Sequence, residues 1–180
     1  MVNSQKFIMS NHCPPHYYLD DTYYFITARI FKNQNILSNK QEEFLKEIFR
    51  IFKEYRYKIF CWVINSDHYH LLFQTRKGKD LQEIFHKLHG RTSFQWNKAD
   101  ITPGRKVWQN YFDTCVRNQE SFFRHLNYIH HNPIKHNLVK GMKDYPWSSY
   151  SFYLKKYGKE WIDDCFEQYP IIDFTPDGEM

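Results

Sequence analysis

The sequence predicts an α+β fold of the ferredoxin-like (RRM-like) class: a split β-α-β antiparallel sheet with helices packed on it, then a C-terminal helix and tail. Strand-like and helix-like segments alternate in the order β-α-β-β-α-β. The central strands are apolar on both faces, so we expect both sides of the sheet to be covered. With 180 residues and 42% hydrophobic composition, the chain suffices for one well-packed domain.

The first half of the chain contains three predicted strands and two predicted helices. Aromatic and branched residues at 23–31 predict the first strand, and residues 59–75 predict two more that meet near residues 65–67. Ser38 or Asn39 can cap a first helix that runs to about Tyr55. A second helix begins at Asp80 and runs to about Lys98, with one apolar stripe formed by Leu81, Ile84, Phe85 and Leu88.

The second half continues the alternation. Residues 107–116 predict a fourth strand, and Asn118 can cap a third helix that ends at Asn132, because Pro133 follows. Ser148 or Ser149 can cap a short helix that ends at Tyr157. Around these elements we expect an irregular arm at 1–21, the main domain at 22–158 and an acidic tail at 159–180.

Charge is divided unevenly along the chain. Residues 1–159 carry 25 basic and 13 acidic side chains, a net charge of +12, whereas residues 160–180 carry seven acidic side chains and no Lys or Arg. A basic body with 19% aromatic residues suits single-stranded nucleic acid, where phosphates supply affinity and bases stack on rings. A solvated charged surface is the alternative. The acidic tail could fold over the basic surface and inhibit DNA binding.

Cysteine spacing and hydropathy exclude two classes of protein. The four cysteines form no Cys-x-x-Cys pair, so a zinc finger is not expected. The sequence has no signal peptide pattern and no apolar run of the ~18 residues that a membrane helix needs. We therefore expect a cytoplasmic, nucleoid-associated protein with no membrane partner.

A His-x-His pattern lies in the third predicted strand. Side chains two apart on a strand share a face, so His68 and His70 project together with Cα atoms roughly 6–7 Å apart. Both imidazoles can then bind one metal ion, while Tyr69 on the opposite face belongs to the core. The alternative is a pair of half-buried histidines that only form hydrogen bonds.

The third helix adds a tyrosine and an amide. Tyr128 and Asn132 are four residues apart and share a helix face beside the apolar stripe. Asn132 can supply a carbonyl oxygen to an ion held by the histidines, and mixed nitrogen and oxygen ligands suit Mn²⁺, with Mg²⁺ feasible. Tyr128 could then attack a phosphodiester and form a covalent phosphotyrosine. A Tyr ring that covers the core is the alternative.

Five segments in order carry a family resemblance. They are Tyr24-Phe25-Ile26-Thr27-Ala28-Arg29, Asp67-His68-Tyr69-His70-Leu71-Leu72, Trp108-Gln109-Asn110-Tyr111-Phe112-Asp113, Tyr128-Ile129-His130-His131-Asn132-Pro133 and Asp144-Tyr145-Pro146-Trp147-Ser148-Ser149. Through them, residues 23–155 resemble the HUH endonucleases, and more narrowly the single-tyrosine transposases of the insertion-sequence type, closest to the REP-associated tyrosine transposases.

The resemblance implies a metal-dependent nickase and strand transferase that acts on hairpin-bearing single-stranded DNA. It implies Tyr128 as the nucleophile of a 5′-phosphotyrosine intermediate, and His68, His70 and Asn132 as ligands of Mg²⁺ or Mn²⁺. The chain departs from the family pattern at two places. Asn65-Ser66 stands where Met-Pro is usual, and Ile134-Lys135-His136-Asn137 stands where Val-Arg-Ala-Gly is common. These departures bear on DNA sequence preference more than on the chemistry.

Further DNA contacts are expected from basic and aromatic residues. Arg29, Arg91 and Lys135 could hold phosphates, with surface charge as the alternative, and Trp108 and Tyr111 could stack on bases, with core packing as the alternative for Trp108. Four histidines crowd the tyrosine helix, and for His130 or His131 we expect solvent exposure, with a proton shuttle as the alternative. The four are His125, His130, His131 and His136.

Two other functions remain open from the sequence. One is a catalytically inactive or domesticated hairpin-binding protein, which would bind DNA without an ion and form no adduct. The other is a metal-dependent hydrolase of a small phosphodiester, which the basic surface fits poorly. The resemblance allows either a monomer or a homodimer that exchanges the tyrosine helix, and the extra C-terminal segment favours the monomer.

Overall fold

The sheet at the centre of the fold is a four-stranded antiparallel one. A computed structural model describes residues 19–174, so most of the predicted arm and the last six residues lie outside the described part. The strands are β1 (Tyr23–Arg29), β2 (Lys58–Ile64), β3 (His68–Gln74) and β4 (Phe112–Val116), in the spatial order β2-β3-β1-β4. The predicted α+β class, with an antiparallel sheet, is confirmed.

Within the described part of the chain, four helices cover the sheet. They are α1 (Gln41–Glu54), α2 (Leu81–Ala99), α3 (Gln119–Lys135) and α4 (Tyr150–Gln168). Short 3₁₀ turns at Phe31–Asn33, Ile36–Asn39, Gly78–Asp80 and Met142–Asp144 join the elements. Within residues 19–174, none of the helices combines the length and apolar character needed to cross a bilayer.

The side chains of each strand divide between two cores. On one face, Tyr69, Leu71 and Phe73 pack with residues of α1 and α2, including Phe44 and Phe85. On the other face, the apolar side chains pack with α3 and α4, and they include Phe25, Val63, Leu72, Leu126 and Ile129. Both faces of the sheet are therefore covered, as the apolar strands predicted, and α3 is held against the strands that carry His68 and His70.

The starting residues of α1 and β4 differ from the predicted ones. Ser38 and Asn39 lie in a 3₁₀ turn, and α1 begins after Lys40, which makes no side-chain capping bond. The fourth strand begins at Phe112 rather than at residue 107. Residues 107–111 precede the strand, and Trp108 forms an isolated bridge with Ile30.

The prediction that Pro133 ends the third helix was wrong. α3 includes Pro133 and continues to Lys135. Proline in the last turn removes one backbone donor, and the chain then closes with a left-handed Asn137 at φ 55°. Leu138 N donates to Pro133 O at 2.9 Å and Asn137 N donates to Ile134 O at 2.9 Å, which is the Schellman pattern of helix ends.

The C-terminal helix is longer than predicted. It breaks at Gly158, with φ 85° and ψ 168°, one residue after the predicted end, and a second segment continues to Gln168. This second segment buries Ile162 and Cys165. Asn127 Nδ2 on α3 donates to the carbonyl oxygens of Cys165 at 2.9 Å and Tyr169 at 2.8 Å. Residues 159–169 thus pack on α3, while the division into arm, domain and tail stays a prediction.

We expect Asn118→Ala to lower the free energy of unfolding by about 1 kcal/mol, because it removes the N-cap of α3. Asn118 Oδ1 accepts a hydrogen bond from Ser121 N at 2.8 Å, as its sequence position predicted. Urea denaturation measures the change. Asn118→Asp keeps the acceptor and serves as the control, so an equal loss in both variants would contradict the capping role.

Candidate active site

Two buried histidines of β3 face α3. His68 and His70 are 1% and 2% exposed, and their ring centroids are 5.1 Å apart. Tyr69 between them points into the opposite core. The strand therefore presents both imidazoles on one face, in the arrangement that the His-x-His spacing predicted.

Asn132 of α3 lies against both imidazoles. Its Nδ2 donates to His70 Nε2 at 3.2 Å, and its Oδ1 lies 3.3 Å from His68 Nε2. The side chain is completely buried. Asn132 is 62 positions from His70 and 64 positions from His68 in the sequence. The three side chains nevertheless meet in one cluster within a single chain.

Hydrogen bonds from outside the cluster orient both rings. His68 Nδ1 donates to Asp67 Oδ1 at 2.7 Å, so its Nε2 carries the lone pair. His70 Nε2 accepts from Asn132, so its Nδ1 carries the proton and donates to Thr27 Oγ1 at 2.8 Å. Both Nε2 lone pairs therefore point toward Asn132, as in histidines that bind metals and donate their other N–H to a second group.

The donor groups in this cluster fit a divalent ion such as Mn²⁺. Two imidazole nitrogens and the Asn132 amide converge, and a second amide, that of Asn65, joins them: Asn65 Nδ2 donates to His68 Nε2 at 2.8 Å. Among residues 19–174 no group of three or more His, Cys, Asp or Glu side chains could hold a metal, and the protein oxygen beside His68 Nε2 is that of the Asn132 amide. Mixed nitrogen and oxygen donors suit Mn²⁺ better than Mg²⁺.

Tyr128 lies on the same face of α3, one turn before Asn132. Its ring is 3% exposed and contacts the His70 ring edge-on, with centroids 5.2 Å apart. The predicted shared face of Tyr128 and Asn132 is thus turned toward the two histidines, and one copy of the chain brings all four side chains together.

The electrostatics keep His70 neutral and the nearby carboxyl of Asp67 charged. Burial, with smaller electrostatic effects from His68 and Arg29, holds the pKa of His70 well below its usual value. Burial would raise the pKa of Asp67, but its hydrogen bond with His68 and the nearby positive groups lower it overall. Neutral imidazoles are the form that binds metal.

Residues 170–174, the described part of the acidic C-terminal segment, cover Tyr128. Phe174 stacks on the His125 ring with centroids 3.8 Å apart and meets the Tyr128 ring edge-on at 5.4 Å. Asp173 Oδ1 lies 2.7 Å from Lys135 Nζ, which itself lies 5.2 Å from the centroid of the Tyr128 ring. From the sequence we expected an acidic tail that folds over a basic surface. The packing of an aromatic side chain of that tail against Tyr128 was not expected.

The other predicted DNA contacts fall in two regions. Arg29 lies close enough to lower the pKa values of Asp67 and His70, and Lys135 borders Tyr128. By contrast, Arg91 lies on the opposite side of the sheet, where its Nε is 2.8 Å from Glu47 Oε1 across α1 and α2. The structure therefore does not bring Arg91 to the histidine cluster.

Trp108 and Tyr111 also lie on the far side of the sheet. Trp108 is 7% exposed and stacks on His89 with centroids 4.4 Å apart, which favours its core-packing role. With Tyr111, it lines a groove of about 480 Å³ between α2 and residues 105–111, rimmed by the basic side chains of Arg105 and Lys106. Base stacking by these two rings stays a prediction.

Solvent exposure was the wrong expectation for His130, and His131 is only partly exposed. His125 and His130 are 2% and 0% exposed, and His130 Nε2 lies 3.0 Å from Ser149 Oγ at the start of α4. His136 is partly buried and its ring lies 4.5 Å from that of His68. Sequence reasoning also missed Asn65, Asp67 and Thr27 as members of the site, because only the pairing of β1 with β3 and the β2–β3 turn place them there.

Comparison with known proteins identifies both similar sequences and similar folds. The family model described as "Transposase IS200 like" matches residues 19–132, which include all four clustered side chains. A REP-associated tyrosine transposase of Escherichia coli (strain K12) is 25% identical over 141 residues, covering 74% of this chain and 79% of the relative. A Haemophilus influenzae protein (strain ATCC 51907 / DSM 11121 / KW20 / Rd), provisionally given the same name, is 26% identical over 151 residues, covering 77% and 86%.

A solved structure shares the fold. It is that of a REP-associated tyrosine transposase bound to a REP hairpin, and it matches with a TM-score of 0.68 and 22% sequence identity. The match covers 82% of this chain and 87% of the solved one.

Proposed function

Because this chain belongs to the IS200-like transposase family, we propose that it nicks and rejoins hairpin-bearing single-stranded DNA through a 5′-phosphotyrosine on Tyr128. We propose further that His68, His70 and Asn132 hold a Mn²⁺ or Mg²⁺ ion. The observation that carries the proposal is the single cluster in which the Tyr128 ring borders His70 and the Asn132 amide borders both imidazoles.

In the proposed reaction, the phenol oxygen of Tyr128 attacks a backbone phosphorus. A bond forms between that oxygen and phosphorus, the bond from phosphorus to the 3′ oxygen breaks, and the 3′ oxygen leaves as a hydroxyl while the phenol loses its proton. A divalent ion supplies charge stabilisation for the phosphate and helps a phenol with an ordinary pKa of ~10 to act as nucleophile. Attack by another 3′ hydroxyl reverses the step and joins a new strand.

The surrounding residues support this chemistry by orientation and charge. Asp67 and Thr27 fix the tautomers of His68 and His70, so that both lone pairs lie on Nε2 and face the side of the site where an ion would bind. Arg29 and Lys135 place positive charge beside the cluster, where a DNA phosphate would lie. The hairpin-bound relative and the basic body together favour a hairpin-bearing strand as substrate.

Incubation of the protein with an end-labelled, hairpin-bearing single strand and Mn²⁺ tests the proposal. We expect a protein–DNA complex that survives denaturing electrophoresis and is absent with EDTA. Strong hairpin binding that needs no ion, with no such complex in Mn²⁺ or Mg²⁺ even after removal of the C-terminal segment, would instead identify a domesticated hairpin-binding protein.

We also propose that the acidic C-terminal segment restrains this activity. Phe174 packs against Tyr128 and His125, and Asp173 pairs with Lys135, so a DNA strand must displace both to reach the tyrosine. A covering contact worth about 1 kcal/mol reduces apparent DNA affinity about fivefold, because only the uncovered fraction binds.

Truncation after Tyr169 is therefore expected to raise single-strand affinity about fivefold and to raise the yield of the covalent complex. It leaves the packed second segment of α4 intact, with its bonds to Asn127. Fluorescence anisotropy measures the affinity. Asp173→Asn should give part of the gain, whereas Asp163→Asn, which pairs only with Lys159 among the ion pairs described, is the matched control for charge. Equal affinity of the truncated and full chains would refute the restraint.

A further inference from the structure

Asn65 is a buried amide at the turn that joins β2 to β3. Its side chain is 1% exposed, and its backbone N donates to His68 O at 2.8 Å, which holds the turn closed over the first histidine. The residue stands where the resembling family usually has methionine. A polar side chain at this completely buried position therefore calls for a physical explanation.

The Asn65 amide contacts the same atoms that are expected to bind the ion. Its Nδ2 donates to His68 Nε2 at 2.8 Å and also to Asn132 Oδ1. This nitrogen therefore lies between two of the three predicted ligand atoms, and it occupies the lone pair that His68 would offer to a metal.

The oxygen atom of the same amide lacks a hydrogen bond within the described residues. Among residues 19–174, Asn65 Oδ1 is buried and has no hydrogen-bond partner. A buried carbonyl oxygen without a partner costs on the order of 1–3 kcal/mol. A half-turn about the Cβ–Cγ bond exchanges the oxygen and the nitrogen of an Asn side chain, because the two ends have nearly the same shape.

We propose that Asn65 is a fourth protein ligand of the divalent ion and that its Oδ1 turns toward the site when the ion binds. The inference rests on the proposed function, since it takes His68, His70 and Asn132 as the other ligands. Rotation would release the His68 lone pair and give the orphaned oxygen a partner in the same motion. The resulting set has two imidazole nitrogens and two amide oxygens, and it leaves two positions of an octahedral ion for a phosphate oxygen and water.

If Asn65 is a ligand, its replacement should have effects that loss of its hydrogen bond to His68 alone would not produce. Asn65→Met, which restores the usual family residue type, should weaken Mn²⁺ binding by about tenfold or more. The vacated position should take one additional water. Asn65→Asp keeps the length of the side chain and offers only oxygens, so it should bind Mn²⁺ at least as tightly as the parent protein.

The experiment titrates Mn²⁺ into the full chain and follows the free ion by electron paramagnetic resonance, with no DNA present. Water proton relaxation of the bound ion counts its water ligands. Thermal unfolding in EDTA establishes that each variant is folded, and Asn132→Ala is the control that should lose binding because it removes one of the ligands of the proposed function. If Asn65→Met does not fold, the Mn²⁺ affinity of Asn65→Asp decides whether Asn65 is a ligand.

The outcomes separate this inference from the proposed function. Weaker binding with one more water in Asn65→Met, and undiminished binding in Asn65→Asp, supports the fourth ligand. Equal affinity and equal water count in Asn65→Met overturns it, as does weak binding in both variants with no added water, which would leave Asn65 as a positioning residue for His68. Absence of Mn²⁺ binding in the parent protein, or full binding by Asn132→Ala, would instead remove the proposed metal site.

Discussion

Tyr128→Phe is expected to abolish the covalent protein–DNA complex while leaving hairpin binding within about twofold of the parent protein. The change removes only the phenol oxygen, which is the proposed nucleophile. The ring keeps its contacts with His70 and Phe25, at centroid distances of 5.2 and 6.0 Å, so α3 should stay in place. Denaturing electrophoresis with labelled DNA and Mn²⁺ measures the adduct, and anisotropy measures binding.

A second tyrosine provides the matched control for this variant. Tyr157 is 44% exposed on α4, so Tyr157→Phe should form the adduct at the parent level. Mass spectrometry of the digested complex should locate the DNA on the peptide that contains Tyr128. An adduct that persists in Tyr128→Phe would assign the nucleophile to another residue and remove the central step of the proposed function.

Acid should unfold the protein well above the pH at which carboxylates titrate. Burial lowers the pKa of His89 to about 3, of His125 to about 4 and of His130 to about 3, against an ordinary value of 6.5. For His125, the hydrogen bond that it donates to Ser121 O opposes part of the effect of burial. These three side chains are neutral in the folded protein near neutral pH.

The sign of the effect follows from proton uptake. Between about pH 6.5 and pH 4, the unfolded chain binds protons on these histidines and the folded chain does not, so protonation favours unfolding. Their contribution to stability is complete above the unfolded pKa and is lost as pH falls through this window. Three protons correspond to about 4 kcal/mol per pH unit, which is comparable with a whole domain's stability of about 5–15 kcal/mol.

Urea denaturation at pH 7.5, 6.5, 5.5 and 4.5 measures this dependence. We expect a nearly constant free energy of unfolding above about pH 6.5 and a steep loss below it. His89→Phe keeps a flat ring against Trp108 and should reduce the slope by about one proton, or about 1.4 kcal/mol per unit. The exposed His86 provides the control, since His86→Ala should leave the slope unchanged. A flat profile down to pH 4.5 would contradict the burial of these groups.

Local patterns in the sequence were enough to predict most elements and the faces on which site residues lie. Period-two alternation placed His68 and His70 together, and helical spacing placed Tyr128 and Asn132 together, because each pattern repeats within a few residues. The cap of α3 at Asn118 was likewise a local property, formed with Ser121 three residues away. The assignment of the family rested on the order of such segments.

Local rules failed where packing opposed them. Pro133 did not end α3, since the Schellman closure beyond it satisfies the last turn. The segment at 107–111 lies outside β4, where Trp108 forms an isolated bridge with Ile30 and stacks on His89. The last helix was predicted to end at Tyr157; it breaks at Gly158, but the chain continues as helix because Ile162 and Cys165 pack in the second core.

By itself, the sequence determined which side chains share a face, since backbone geometry repeats over two or four residues whatever surrounds it. Only the tertiary structure decided that these faces meet in one chain, that Asn65 joins His68 and Asn132, and that Phe174 covers Tyr128. Those contacts join residues far apart in sequence, and their formation depends on how helices and sheet bury apolar surface together. No period within the chain encodes that arrangement.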